Sequence, residues 1–413
     1  MYTFAIALYA FAARLIAPLH AKAEKMIKGQ KETFSILKKS IDPQARYIWF
    51  HAASLGEFEQ GSPVVEKIRK EHPELKVLLT FFSPSGYEIK KNYKGADVVC
   101  YLPFDLPKNV NRFLQLANPS VAIFIKYEFW MNYLLALQKR QIPTYIISAI
   151  FRPSQLFFRP YGKLYRPVLQ CYNWFFVQDD ASRSLLSRYN IHNVSVSGDT
   201  RFDRVCTICQ NRKELPLVEQ FVNSNNSGGK QFTFVAGSTW AKDEDILIDY
   251  FNCHPEIKLI IAPHEIDKER QKSLINKLKR PHIYFSKANE TNIQQADCLI
   301  VDCIGLLSSI YRYGEIAYIG GGFGAGIHNI LEAAVYGIPV IFGPNYHKFR
   351  EARELIAQGG GFSIETQSSF NQLLGNFTAN PHQLEQAGHI AGKYVSGNTG
   401  ATEIIYDKLR PKL

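Results

Sequence analysis

Ser54-Leu55-Gly56-Glu57 closely follows a short apolar run, Ala45 to Phe50, and places a carboxylate just beyond the end of an expected strand. Open α/β sheets gather their reactive groups at that edge, where strands give way to loops and helices. A carboxylate there can take the proton from an attacking hydroxyl. Gly56 permits a turn that would lift Glu57 above the sheet. Glu59 would point elsewhere in a helix, so spacing does not make the two an acid/base pair. By pattern alone Glu57 could equally be a surface glutamate or a helix cap.

A second stretch, Ile316 to Arg350, has the order strand, glycine loop, helix, strand. The apolar run Ile316–Ile319 is followed by five glycines within seven residues, Gly320, Gly321, Gly322, Gly324 and Gly326. A loop with so few Cβ atoms can bring backbone N–H groups against a phosphate or a sugar. His328-Asn329-Ile330-Leu331-Glu332 suits a helix start, which would put Glu332 one turn beyond His328 on the same face. The strand Ile338–Phe342 then ends in Gly343-Pro344. No acidic residue closes that strand as a dinucleotide site requires, which favours a nucleotide used as a leaving group. A glycine turn that serves packing alone has the same composition.

The elements that must hold these groups alternate along the chain. Apolar runs at 45–50, 75–82, 98–102, 121–125, 144–148, 175–178 and 194–197 are separated mostly by helix-length spacers, which predicts a parallel sheet covered on both faces. Polar residues gather where these runs end: Ser83-Pro84-Ser85-Gly86, Pro103-Phe104-Asp105, Lys126-Tyr127-Glu128, Arg152, Asp179 and Gly198-Asp199. A second alternation occupies 232–236, 259–262, 283–285, 299–301, 316–319 and 340–342, and helices are expected over 368–374, 381–394 and 401–409. The fold class is therefore α/β with two Rossmann-like domains. Expected boundaries are an N-terminal segment 1–32, a first domain 33–205, a linker 206–230, a second domain 231–385 and terminal helices 386–413. Within the linker, Asn223–Gly229 has the composition of a flexible turn.

The 413 residues are 46% hydrophobic, enough to bury two cores, and the formal charge of +11 predicts anionic company. No arginine-rich tail or zinc finger is present, so the charge points to a membrane surface and phosphorylated substrates rather than to nucleic acid. Seven cysteines, an odd number in so long a chain, fit reduced thiols in a cytoplasm. Cys206 and Cys209 have redox-motif spacing but no companion pair, and are expected to be incidental.

Phe4–Leu19 is apolar apart from Arg14, and His20, Lys22, Lys25, Lys28 and Lys31 follow it. The run falls short of the ~20 residues of a spanning helix, and Arg14 is costly in hydrocarbon. It lacks the preceding charge of a signal peptide. An interfacial helix with a basic flank fits these features, as does a helix packed on the first domain. Phe151–Tyr161 is a second aromatic and basic patch, in which Phe157 and Phe158 are either interface or core residues.

The ordered motifs resemble those of the 3-deoxy-D-manno-octulosonic acid (Kdo) transferases, which glycosylate lipid A in Gram-negative envelopes. Ser54–Glu57 matches S-x-G-E, which carries the family's general base. Ser83–Gly86 is similar to T-x-T-G, and Glu128-Phe129-Trp130-Met131-Asn132 to E-L-W-P-N. Gly198–Asp203 resembles G-N-x-K-F-D with Arg201 for the lysine, and Gly237-Ser238-Thr239-Trp240 with Glu244 resembles G-S-T-H. Asp302–Leu307 followed by Tyr311 is similar to D-T-x-G-E-L and Y, with Leu306 where an acid is usual. Pro263-His264-Glu265 departs from P-R-H, leaving Lys268 or Arg270 to supply the missing cation. Gly326–Ile330 departs from G-G-H-N-P but keeps His328 and Asn329.

The resemblance covers nearly the whole chain. It implies two domains facing a central cleft (the GT-B plan), with the last helix returning to the first domain. It implies Glu57 as base; Ser54, Gly56, Ser85, Gly86, Glu128, Arg152 and Arg201 on the acceptor and Kdo side; and Ser238, Thr239, His264, Lys268, Arg270, Gly305, Gly321, Gly322, His328, Asn329 and Glu332 around the donor. The implied donor is CMP-Kdo and the acceptor a phosphorylated, acylated glucosamine disaccharide, at an anionic membrane surface on the cytoplasmic face of the inner membrane. No D-x-D pair is placed to hold a metal, so no metal and no cofactor are expected.

Overall fold

Strand β1 (Tyr47–Ala52) is buried at all six positions, as an apolar strand covered on both faces must be. In the computed structural model, which describes residues 1–224 and 231–413, it lies between β2 (Lys76–Phe81) and β4 (Val121–Ile125). With β3 (Val98–Tyr101), β5 (Thr144–Ala149), β6 (Trp174–Val177) and β7 (Val194–Val196) these form a sheet of order β3-β2-β1-β4-β5-β6-β7. The second sheet has the order β10-β11-β9-β8-β12-β13-β14. Its strands are β8 (Phe232–Thr239), β9 (Ile257–Pro263), β10 (His282–Tyr284), β11 (Cys298–Ile300), β12 (Ile316–Ile319), β13 (Val340–Phe342) and β14 (Gly361–Ser363). Every pairing in both sheets is parallel. Each sheet reverses its strand order once, between β1 and β4 in the first and between β8 and β12 in the second.

The chain divides into two units, Met1–Arg204 with Asn398–Leu413, and Val205–Gly397. The division falls inside the helix Thr200–Gln210. Most of the expected linker 206–230 is helical, because Val218, Phe221 and Val222 form a buried face on the helix Pro216–Asn223, which is part of the second unit. The expected flexible turn at 223–229 lies mostly outside the described residues. The terminal helix Ala401–Leu409 belongs to the first unit: Ile405, Tyr406 and Leu409 are buried in a cluster with Ile48, Phe50 and Ile123. Asp203 fixes its start, accepting from the Thr402 hydroxyl at 2.7 Å and from the N–H groups of Gly400 at 2.6 Å and Thr402 at 2.7 Å.

Helix α1 (Tyr2–Ile16) turns at Ala17–Leu19 into helix α2 (Ala21–Ser40). The small residues Ala10 and Ala13 let α1 approach Met26, Tyr101 and Phe104, and the Tyr2 hydroxyl donates to Asp105 at 2.7 Å. One face of α1 is thus docked on the first unit. Phe4, Leu8, Phe11 and Leu15 recur along its outer face and are 57–75% exposed. With its following turn, the helical run Tyr2–Leu19 is by length and composition apolar enough to cross a membrane, although one face of it is docked on the first unit. Its apolar outer face and the exposed lysines 22, 25, 28 and 31 on α2 mark a membrane-associated surface. For the second patch the structure decides between the two readings in favour of the core. Phe157 and Phe158 are core residues, packed with Phe129 and Phe151, and the exposed apolar residues nearby are Leu156, Tyr161 and Leu164. Tyr165 packs against Tyr2 in a tilted ring pair with centroids 5.6 Å apart, joining this loop to α1.

Candidate functional site

In the first unit the reversal of strand order brings the ends of β1 and β4 side by side, and each carries a carboxylate. Ser54 caps helix α3 (Leu55–Glu71), its hydroxyl accepting from the Glu57 N–H at 3.4 Å. The Glu57 side chain folds back over the strand end, where its carboxylate accepts from the Ala53 N–H at 2.7 Å. Gly56 is already inside the helix, so its glycine freedom makes no turn; a Cβ there would meet nothing within 4 Å. Its lack of a side chain leaves open space beside Glu57. The expected mechanism for Gly56 is corrected accordingly.

Burial, and after it the charge of Glu128, push the Glu57 carboxyl up to about 7, against the opposing pull of the Ala53 N–H, His51 and Lys126. Glu128 is buried and held from two sides, by His51 Nε2 at 2.9 Å and by the Trp130 indole N–H at 2.5 Å. His51 is itself fully buried on β1, with Nδ1 2.8 Å from the Thr80 hydroxyl. Motif reasoning had not assigned His51 or Trp130. A polar ring inside an otherwise apolar strand was the available signal for His51.

The other expected residues of this unit are arranged around the same edge. The turn Ser83–Gly86 adjoins the end of β1, since the Ser83 N–H donates to Ala53 O at 2.7 Å. Ser85 is exposed, and Gly86 lies buried against the Phe81 ring. Burial raises the Tyr127 phenol; Glu57 and Asp179 add to that effect and Arg152 and Arg201 oppose it, so all four charges lie near this hydroxyl. Arg152 is exposed, whereas Arg201 pairs with Asp199 at 2.7 Å.

In the second unit the β8–β12 reversal places Gly237-Ser238-Thr239 beside the glycine loop. A Cβ on Gly320 would lie 2.1 Å from Ser238 O, and Gly321 has φ +94°, so both positions require glycine. Buried Asp243 ties the parts together: it accepts from the Gly321 N–H at 3.0 Å, the Trp240 N–H at 2.8 Å and the Tyr318 hydroxyl at 2.7 Å. Gly322 abuts Gly343. Asp243 lies one residue before a motif glutamate and went unassigned.

Above this frame three rings stack. His264 lies 4.7 Å from Trp240 and 4.4 Å from His328 by centroids. The Trp240 indole donates to His328 Nε2 at 3.2 Å. Burial and the neighbouring His264 lower the His328 pKa. These favour a neutral His328 whose proton sits on Nδ1. Tryptophan in the histidine slot of G-S-T-H thus completes an aromatic stack.

His328 and Glu332 do not share a helix face, because the helix starts only at Leu331. The Asn329 carboxamide accepts the Leu331 N–H at 3.2 Å and donates to Glu332 at 3.0 Å, which delays the helix and pairs Glu332 with Asn329 instead. Arg270 is engaged by buried Glu244 at 2.7 Å, and Glu244 also accepts from Thr239 at 3.1 Å. Lys268 is exposed in the first turn of Lys268–Lys277. Gly305 lies apart in an exposed loop, with φ +83°.

The model of the 3-deoxy-D-manno-octulosonic acid transferase family matches residues 28–204. Full-length relatives carry the likeness into the second unit. The chain is 28% identical over 338 residues to the 3-deoxy-D-manno-octulosonic acid transferase of Aquifex aeolicus, covering 80% of this chain and 86% of that protein. It is 25% identical to the enzyme of the same name from Haemophilus influenzae over 96% of this chain and 94% of the other. The chain is a GT-B glycosyltransferase related to the Kdo transferase family. The solved UDP-GlcNAc 2-epimerase of Neisseria meningitidis has the same fold, with a TM-score of 0.62 over 88% of this transferase and all of the epimerase, at 17% identity.

Proposed function

We propose that this transferase moves Kdo from CMP-Kdo to a phosphorylated, acylated glucosamine disaccharide of the lipid A pathway, with inversion, at the cytoplasmic face of a Gram-negative inner membrane. The observation that carries the mechanism is Glu57, a carboxylate at the first sheet's reversal point whose proton affinity is pushed up to about 7. A sugar hydroxyl ionises far above neutral pH, so its attack needs a base that binds a proton well yet is still substantially deprotonated near neutral pH. Glu128, clamped by His51 and Trp130, supplies the like charge that strengthens Glu57 as a base. Tyr127, Arg152 and Arg201 form the polar surround suited to the acidic sugar and the acceptor.

The leaving group is a nucleoside monophosphate, already charged at neutral pH, so it needs backbone N–H groups and cations rather than a general acid. In this reading Gly321 and Gly322 approach the nucleotide, Ser238 donates to it, Thr239 steadies the site through its hydrogen bond to Glu244, and Glu332 with Asn329 accepts from ribose hydroxyls. Lys268 supplies positive charge toward the phosphate, and Arg270 acts through Glu244. The close glycine packing at the β8–β12 reversal supports this placement. Incubating the full-length protein with CMP-Kdo and tetraacylated lipid A precursor, then weighing the lipid by mass spectrometry, tests the reaction. One or more added Kdo units are expected. CMP release without a lipid product would instead favour an epimerase-like attack by water.

A further inference from the structure

Arg14 is the costly residue of the apolar N-terminal run, and the reaction leaves it without a role. It lines a cavity of about 250 Å³ under α1, together with Ile27, Gln30, Lys31 and Phe34 of α2 and with Phe104. Arg14 and Lys31 are exposed, and neither forms an ion pair among the described residues. A third cation stands close, the Arg112 guanidinium lying 4.3 Å from the Phe34 ring centroid. The acidic residues of α2, Glu24 and Glu32, do not line the cavity. Gln30 is 7% exposed, and its Oε1 accepts the Phe104 N–H at 3.1 Å, which fixes the orientation of the amide. Its Nε2 has no partner among the described residues. A buried donor left without an acceptor is costly, so such a group calls for an acceptor from outside the chain.

We propose that this cavity binds the phosphate head group of an anionic phospholipid. Arg14 and Lys31 pair with the phosphate, the Gln30 amide donates to a phosphate or ester oxygen, and the acyl chains run along the exposed face of Phe11 and Leu15. Continuity with that apolar face selects a lipid rather than a free phosphate ester. The site orients α1 in the bilayer independently of which sugar the enzyme transfers.

The test uses the full-length protein and dihexanoyl phosphatidylglycerol below its micelle concentration, followed by calorimetry. Saturable binding at one site is expected, weakened roughly 10-fold to 30-fold in the double variant R14Q/K31Q, on a scale of about 1 kcal/mol per cation. K38Q/K39Q, at the far end of α2 and outside the cavity, should bind like wild type. Q30E retains the acceptor for the Phe104 N–H but removes the free donor, and it should also lose the lipid while keeping CMP affinity. The proposal is overturned if wild type shows no saturable binding, or if R14Q/K31Q binds no worse than K38Q/K39Q. Phosphatidylcholine or glycerol 1-phosphate binding as tightly as phosphatidylglycerol would overturn it as well.

Discussion

Glu57 and Glu128 leave adjacent parallel strands at the one place where the first sheet reverses its order, and burial with the charge of Glu128 pushes Glu57 up to about 7. A base acts in its deprotonated form, so kcat/KM should rise through pH 7 and level off above it. Glu128→Gln removes the like charge and should move this acid limb to lower pH. An unmoved limb in E128Q would show that Glu128 does not set the base.

The same shift has a stability sign. The folded Glu57 holds its proton more tightly than the unfolded chain, whose value is near 4.5, so its contribution is present below that pH and is lost as pH rises through about 7. Glu57→Gln should therefore raise Tm relative to wild type more at pH 8 than at pH 5. Equal Tm differences at the two pH values would contradict the shift.

Asp243 joins the glycine loop to the start of the helix Ala241–Cys253 through Gly321 and Trp240. Asp243→Ala leaves those N–H groups and the Tyr318 hydroxyl without an acceptor, at a cost of about 1–3 kcal/mol for each buried donor. Denaturant unfolding should show the loss and calorimetry a weaker CMP complex. Retention of both wild-type stability and CMP affinity would remove Asp243 from the account.

Much of this was legible because both sheets are parallel and buried, so their strands are continuous apolar runs that end in polar motifs. β14 escaped because Gly359-Gly360 leads into a strand of only three residues that itself starts on Gly361, which leaves no pattern to see. The carboxylate proposed as the base was visible as a motif, but the clamp on its neighbour was not, since His51 and Glu128 lie 77 residues apart in sequence. His328 and Glu332 have helical spacing, yet the Asn329 carboxamide defers the helix to Leu331 and changes Glu332's partner. The role expected of Gly56 failed because a helical glycine needs no special backbone angle.

On the donor side, Glu332→Ala should lower CMP affinity roughly 10-fold, the scale of a hydrogen bond to a charged group. Lys268→Gln and His264→Ala should each weaken the complex, and Arg270→Gln should act on stability through Glu244. Calorimetry separates these, and unchanged CMP affinity in E332A would exclude the ribose contact.

Membrane association is attributed to two features, the apolar outer face of α1 and the lysines of α2. Changing Lys22, Lys25 and Lys28 to glutamine should reduce sedimentation with anionic vesicles, most at low salt, because screened charges act over a Debye length of about 10 Å at 0.1 M. Phe4→Ser with Phe11→Ser should reduce it at all salt concentrations. Binding that persists in both variants would move the contact elsewhere.

The most direct test of the account compares single-turnover transfer by wild type and Glu57→Gln, with CMP-Kdo and tetraacylated precursor saturating. The change keeps the size and most hydrogen bonds of the side chain but removes its basicity. A fall of about 10²-fold or more is predicted, with CMP affinity unchanged. Transfer by E57Q at near the wild-type rate would contradict the assignment of Glu57 as the base.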